Sequence, residues 1–167
     1  MKINTKKLTE SALLAAFVFV ATLTGAVAPI GGGAYIHIGD ALIYTAVLFL
    51  PMPYAVASAV IGAGLADLIL GSAMYIPATI VTKAAVVLVA KYVLRFAKTP
   101  VMQDTLISLC GIVNILGYFA AECVMFSVPS AASGIMFNAL QALASAVVFM
   151  IVSTPARKIY KRINKDD

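Results

Sequence analysis

Long, nearly uncharged apolar runs constrain this chain more than any other feature. Residues 8–28 hold a single charge, Glu10, and residues 134–154 hold none. Crossing a hydrocarbon core of about 30 Å takes roughly 20 helical residues, because each advances the helix by about 1.5 Å. Both runs meet that length. Only 11% of the 167 residues are charged and 62% are hydrophobic, whereas about a quarter of a soluble domain is charged. Such a chain lacks the polar atoms to face water. Strands of a membrane β-barrel alternate apolar and polar residues, and these blocks are continuous. The sequence therefore predicts an all-α integral membrane protein.

Punctuation by Gly31-Gly32-Gly33, Pro51, Pro53, Gly71-Ser72 and Pro129-Ser130 divides the chain into six transmembrane helices. Their expected bounds are 8–28, 36–50, 55–70, 77–94, 105–128 and 134–154, with the second and third short for a span. No internal repeat or low-complexity linker interrupts them, so a single domain over residues 1–167 is expected. The stretch ending in Ala26-Val27-Ala28 resembles a signal-peptide cleavage site. Its apolar run is longer than the usual signal core, and Pro29 would hinder cleavage, so a retained first helix is expected.

Basic residues then set the topology. Lys2, Lys6 and Lys7 precede the first helix, Lys91, Arg95 and Lys98 fall between the fourth and fifth, and five more follow the sixth. All three segments lie on one side of a six-helix chain, and the positive-inside rule makes that side, with both termini, cytoplasmic. The net charge of +5 thus reports orientation and lipid contact, not a nucleic-acid partner. Cys110 and Cys123 fall within apolar runs and read as packing residues.

A charge inside the membrane is expensive, about 2.5–3.5 kcal/mol at a helix centre. Asp40, Asp67, Lys83 and Glu122 nevertheless lie within predicted spans. On this topology they fall, with His37, Asn138 and Gln141, in a layer within roughly 10 Å of the external boundary. His37, Asp40 and Tyr44 share a helical stripe, as do Thr79 with Lys83, Tyr118 with Glu122, and Asn138 with Gln141. Such a layer suggests a polar recess open to the outside. Purely structural roles compete with that reading. Asp67 and Lys83 are placed to neutralise one another, Asp40 to cap backbone or hold His37, and Asn114 and Thr82 to make local helix contacts. Glu122 has no second cation to pair with. Small residues at Ala12 and Ala16, and at Ser58, Gly62 and Ala66, permit close helix approach, by default within the chain.

Several chemistries are unsupported. The chain has no phosphate loop of the G-x-x-x-x-G-K-[ST] type and no H-E-x-x-H, and one histidine builds no multi-histidine metal site. An enzyme is not expected, nor is a metal or cofactor. One alternative is a stand-alone oligomeric channel or proton-coupled carrier, with Asp40, Asp67 and Glu122 relaying protons.

Three stretches resemble a known family: Tyr35-Ile36-His37-Ile38-Gly39-Asp40, then Leu65-Ala66-Asp67-Leu68-Ile69-Leu70-Gly71, then Pro77-Ala78-Thr79 leading to Lys83. They are similar to the substrate-binding S components of energy-coupling-factor (ECF) transporters, in the group whose substrates include riboflavin, pyridoxine and hydroxymethylpyrimidine. The resemblance runs over nearly the whole chain. It implies a cell-membrane subunit of a prokaryote that captures a small water-soluble vitamin from outside. Its partners would be membrane lipid, a transmembrane T subunit and two ABC-type ATPases. Ala12 and Ala16 match the motif that meets the T subunit. Gly31, Gly32, Gly33 and Tyr35 would form part of a lid. Tyr35, His37, Asp40, Asp67, Lys83, Tyr118, Glu122, Asn138 and Gln141 are the expected ligand-binding residues. The particular ligand is not specified by the motifs.

Overall fold

A computed structural model of the chain describes residues 4–26 and 37–163. Its helices are α1 (Thr5–Ala26), α2 (Gly39–Phe49), α3 (Met52–Ile69), α4 (Ile76–Val93), α5 (Pro100–Leu109), α6 (Gly111–Met125) and α7 (Val128–Ile163). Short 3₁₀ turns at Ala73–Tyr75 and Leu94–Phe96 flank α4. No strand occurs among the described residues. Five segments are long and apolar enough to cross a membrane, Pro100–Met125 being one span broken at Cys110, and α2 is a shorter sixth. The all-helical membrane bundle expected from the sequence is therefore present. Gly31, Gly32, Gly33 and Tyr35, expected from the resemblance to form part of a lid, lie outside the described residues.

The break expected at Pro51 holds, but several other helix ends depart from the sequence reading at prolines. Pro53, Pro100 and Pro129 all sit in first helical turns, where the absent N–H would have had no intrahelical partner anyway. The Thr99 side chain accepts a hydrogen bond from the Met102 amide, and Ser127 does the same for Ser130. These caps start α5 and α7 five and six residues earlier than expected, at Pro100 and Val128 rather than 105 and 134. α7 also runs through Pro155 to Ile163, nine residues past the expected end at 154. Ties on both sides hold that last stretch. Arg157 forms a bidentate pair with Asp104 at 2.7 and 2.8 Å, and the Tyr160 ring stacks on Phe49 at 4.6 Å. The third span proves to be of full length, at 18 residues.

Only α2 is short. At 11 residues it rises about 16 Å, half the hydrocarbon thickness. It lies in the middle of the bundle instead, touching α1, α3, α4 and α7, and Ile43, Tyr44, Ala46 and Val47 are fully buried. α1 packs along α3, where a Cβ on Gly62 would lie 2.5 Å from the Ala15 carbonyl oxygen. The small-residue spacing of α3 therefore serves packing within the chain. That of α1 does not: Ala12 and Ala16 are exposed, while Ser11, Ala15 and Val18 are buried. Outward faces elsewhere are apolar, with Val81 and Val124 exposed by 69% and 87%, as a lipid-facing surface requires.

Gly71, at φ +74°, ends α3. The Gly71 amide donates to the Leu68 carbonyl and the Ser72 amide to that of Asp67, the paired bonds of a glycine-terminated helix. Asp67 is thereby fixed in the final turn. At the opposite end of the bundle, Lys7 reaches the Tyr160 hydroxyl at 2.5 Å and Lys91 the Leu50 carbonyl at 2.6 Å. The first turns of α1 and last turns of α7 therefore share one end.

Replacing Gly62 with Ala is expected to destabilise the protein by about 1–3 kcal/mol through overpacking. Gly64 has nothing within 4 Å of its would-be Cβ, so Gly64→Ala should be neutral or stabilising by up to about 1 kcal/mol. Thermal unfolding in detergent compares the two.

Candidate functional site

Lys83 is 1% exposed, and its position on α4 aims it into the bundle. An ammonium there must be neutralised and hydrogen-bonded. Its Nζ donates to Asp40 Oδ1 on α2 at 2.6 Å and to Asn114 Oδ1 on α6 at 2.7 Å. It also lies 5.3 Å from the centroid of the Tyr118 ring, a cation–π distance. The second Asp40 oxygen accepts from Gln141 Nε2 on α7 at 3.2 Å. Four helices therefore meet at one ion pair.

The network continues toward α3. One turn before Lys83, the Thr79 hydroxyl and the Tyr118 hydroxyl are hydrogen-bonded at 2.9 Å. The Asp67 carboxylate lies beside Thr79. Asp67 is only 9% exposed, and its Oδ2 has no hydrogen-bond partner among the described residues. Three further buried polar atoms are unpaired in the same sense, Asn114 Nδ2, the Tyr44 hydroxyl and, on α5, the Ser108 hydroxyl. Native proteins leave few such atoms.

His37 stands just ahead of α2, which begins at Gly39 and not at the expected 36. Its Nδ1 accepts from the Gly39 amide at 3.3 Å, and its carbonyl accepts from the Ser145 hydroxyl at 3.4 Å. These contacts fix the entry into α2, and with it Asp40. Asp40 and Tyr44 share the inward face of α2, and Tyr44 packs edge-on against Phe149 at 5.5 Å.

Glu122 and Asn138 are half-buried and stay outside this network. Glu122 presses against α7, where Gly134 has no side chain: a Cβ there would lie 2.6 Å from Oε2. The structure thus brings together Asp40, Asp67, Lys83, Tyr118 and Gln141, with His37 alongside, and leaves Glu122 and Asn138 apart. Tyr35 lies outside the described residues.

Two readings from the sequence need correction. The partner of Lys83 is Asp40, not Asp67, because α2 occupies the bundle centre. Asn114 is a member of the network and not a local helix contact. It precedes Tyr118 by four residues and Glu122 by eight, and that shared stripe was the available signal. The network also lies deeper than expected at α7. Gln141 is the fourteenth residue of that helix, which puts it about 20 Å from its start.

A separate groove of about 820 Å³ runs between α4 and α6, floored by Thr82 and Gly117 and walled by residues such as Val81, Leu116 and Val124. It is apolar, and neither Lys83 nor Asn114 lines it.

Fold and charge distribution define a multi-pass membrane protein whose bundle encloses a polar centre. A family model described as ECF-type riboflavin transporter, S component, matches residues 2–162, and the chain belongs to that family. No curated protein matches it. It is accordingly a substrate-binding subunit of a prokaryotic plasma-membrane transporter, in a family of transport proteins and not of enzymes.

Truncating Asp40 to Ala strands the Lys83 ammonium and is expected to cost about 3–5 kcal/mol. Combining Asp40→Leu with Lys83→Met removes both charges and should recover most of that loss. Thermal unfolding of the three proteins measures the difference.

Proposed function

We propose that the protein is the capture subunit of an ECF importer for a small heteroaromatic vitamin or vitamin precursor. One domain over the whole chain takes the ligand from the outer side and delivers it inward with a T subunit and two ABC-type ATPases. Both termini are cytoplasmic in this reading. It is supported by the clustering at one end of Lys7, Lys91, Arg157 and Tyr160 and by the positive-inside rule.

The observation that carries the proposal is the polar network running from Asp67 through Thr79, Tyr118, Lys83 and Asp40 to Gln141. Intramembrane ionisable groups mark substrate sites by default, and these sit directly below the start of α2. His37, Asp40, Asp67, Lys83, Tyr118 and Gln141 form the floor and walls of the ligand site in this reading. Glu122 and Asn138 stand at its rim, and Tyr35 with Gly31, Gly32 and Gly33 forms the lid. The riboflavin in the family's description is one candidate ligand, and its flat ring suits the Tyr118 face.

Ala12 and Ala16 form the T-subunit contact. Their exposure, beside the exposed Leu13, Phe17 and Val20, supports a smooth stripe that a second helix approaches closely.

Ala12→Leu with Ala16→Leu is expected to reduce uptake by the assembled transporter at least tenfold while leaving the Kd of the isolated subunit unchanged. Uptake by proteoliposomes and calorimetry in detergent check the two halves. Full uptake by the variant would remove the docking assignment. Solute flux through liposomes that hold this subunit alone would favour a stand-alone carrier.

A further inference from the structure

Three of the five acidic side chains among the described residues form ion pairs. Between Lys7 and Lys91 the sequence has one Lys or Arg, Lys83, and between Lys98 and Arg157 it has none. Glu10 pairs with Lys7 at 2.8 Å, Asp104 with Arg157 at 2.7 Å, and Asp40 with Lys83 at 2.6 Å. Asp166 and Asp167 lie in the basic C-terminal tail. Asp67 and Glu122 form no ion pair among the described residues, and the cation nearest Asp67, Lys83, is bonded to Asp40. The described stretches at their end of the bundle, residues 70–75 and 126–133, contain no Lys or Arg.

Both carboxylates stand where a ligand would pass. Asp67 closes α3, beside the Thr79 and Tyr118 hydroxyls, with one oxygen buried and unpaired. Glu122 lies one turn beyond Tyr118 on α6, on the side of Tyr75 just ahead of α4. Tyr75 and Phe126, with ring centroids 6.2 Å apart, add an aromatic wall at that end. The single ammonium of the site is already saturated by Asp40, Asn114 and the Tyr118 ring. Among the described residues no second lysine or arginine stands at the site to receive an anion, whereas an acceptor is left to receive a donor.

We propose that the substrate is a nitrogen heterocycle bearing N–H donors or a positive charge, held through Asp67, and that phosphorylated or carboxylated forms of it are rejected. Recognition works from both directions. An N–H or N⁺–H of the ring satisfies the orphan Asp67 oxygen, and a phosphate ester brings two negative charges toward two carboxylates that form no ion pair, in a medium of low dielectric. This inference rests on the vitamin-capture reading and adds the charge of the ligand to it.

The test uses the purified full chain in detergent and six probes: riboflavin, pyridoxine and hydroxymethylpyrimidine, each with its phosphate ester. At least one parent compound is expected to bind, with its ester weaker by about 100-fold or more, as for a site whose buried polar groups are built for the other form. Asp67→Asn keeps the side-chain shape and removes the charge. It should weaken parent binding at least tenfold while the thermal midpoint of the unliganded protein stays unchanged. Glu122→Gln should narrow the gap between parent and ester. An ester that binds as tightly as its parent, or parent binding untouched by Asp67→Asn, overturns the charge assignment and leaves the capture reading standing. Binding by none of the six overturns both.

Discussion

A lysine ammonium buried in the middle of a membrane bundle is the constraint on which the rest of this structure depends. Lys83 has to be neutralised within its own reach, and Asp40 does so from a helix too short to cross the membrane. That shortness is what allows the start of α2 to lie below the bundle end instead of at the lipid surface. The ion pair thus sits in the interior, with Asn114 and Gln141 filling the remaining hydrogen-bonding positions. Replacing such a pair with hydrophobic residues seldom costs stability. Its presence therefore fits a requirement beyond folding, and substrate binding in a transporter family is such a requirement.

Packing around the pair follows from small residues placed at helix crossings. Gly62 lets α1 settle on α3, Gly117 lets α6 close against Thr82 of α4, and Gly111 brings α6 to Ala142 of α7 and to the Tyr44 hydroxyl. Close approach in a membrane replaces the hydrophobic drive available to a soluble protein. The two ends then diverge in character. One carries paired charges that tie α1, α5 and α7 together. The other carries two carboxylates and aromatic rings with no lysine or arginine apart from the saturated Lys83.

Much of the architecture was legible in the sequence because hydropathy and the positive-inside pattern are properties of single segments. Six apolar segments were found, and the inward stripes of α2, α4 and α6 were read correctly at Asp40, Tyr44, Thr79, Lys83 and Tyr118. Helix ends were less legible. Pro100 and Pro129 look like breaks but begin helices, and Pro155 looks like a stop but is bridged by the Arg157–Asp104 pair. The pairing of Lys83 was not legible at all. The sequence reading set Lys83 against Asp67, and the central position of α2, which brings Asp40 to Lys83 instead, is a tertiary fact. Asn114 was passed over although it shares a stripe with Tyr118, since that stripe alone does not say what the amide touches.

The most direct measurement is a ligand-bound structure of the protein. The account predicts ligand density stacked near the Tyr118 ring, with a donor atom about 2.7–3.2 Å from an Asp67 oxygen and the Lys83–Asp40 pair intact beneath it. Density confined to the apolar groove between α4 and α6, with the Asp67 carboxylate still unpaired, would contradict it.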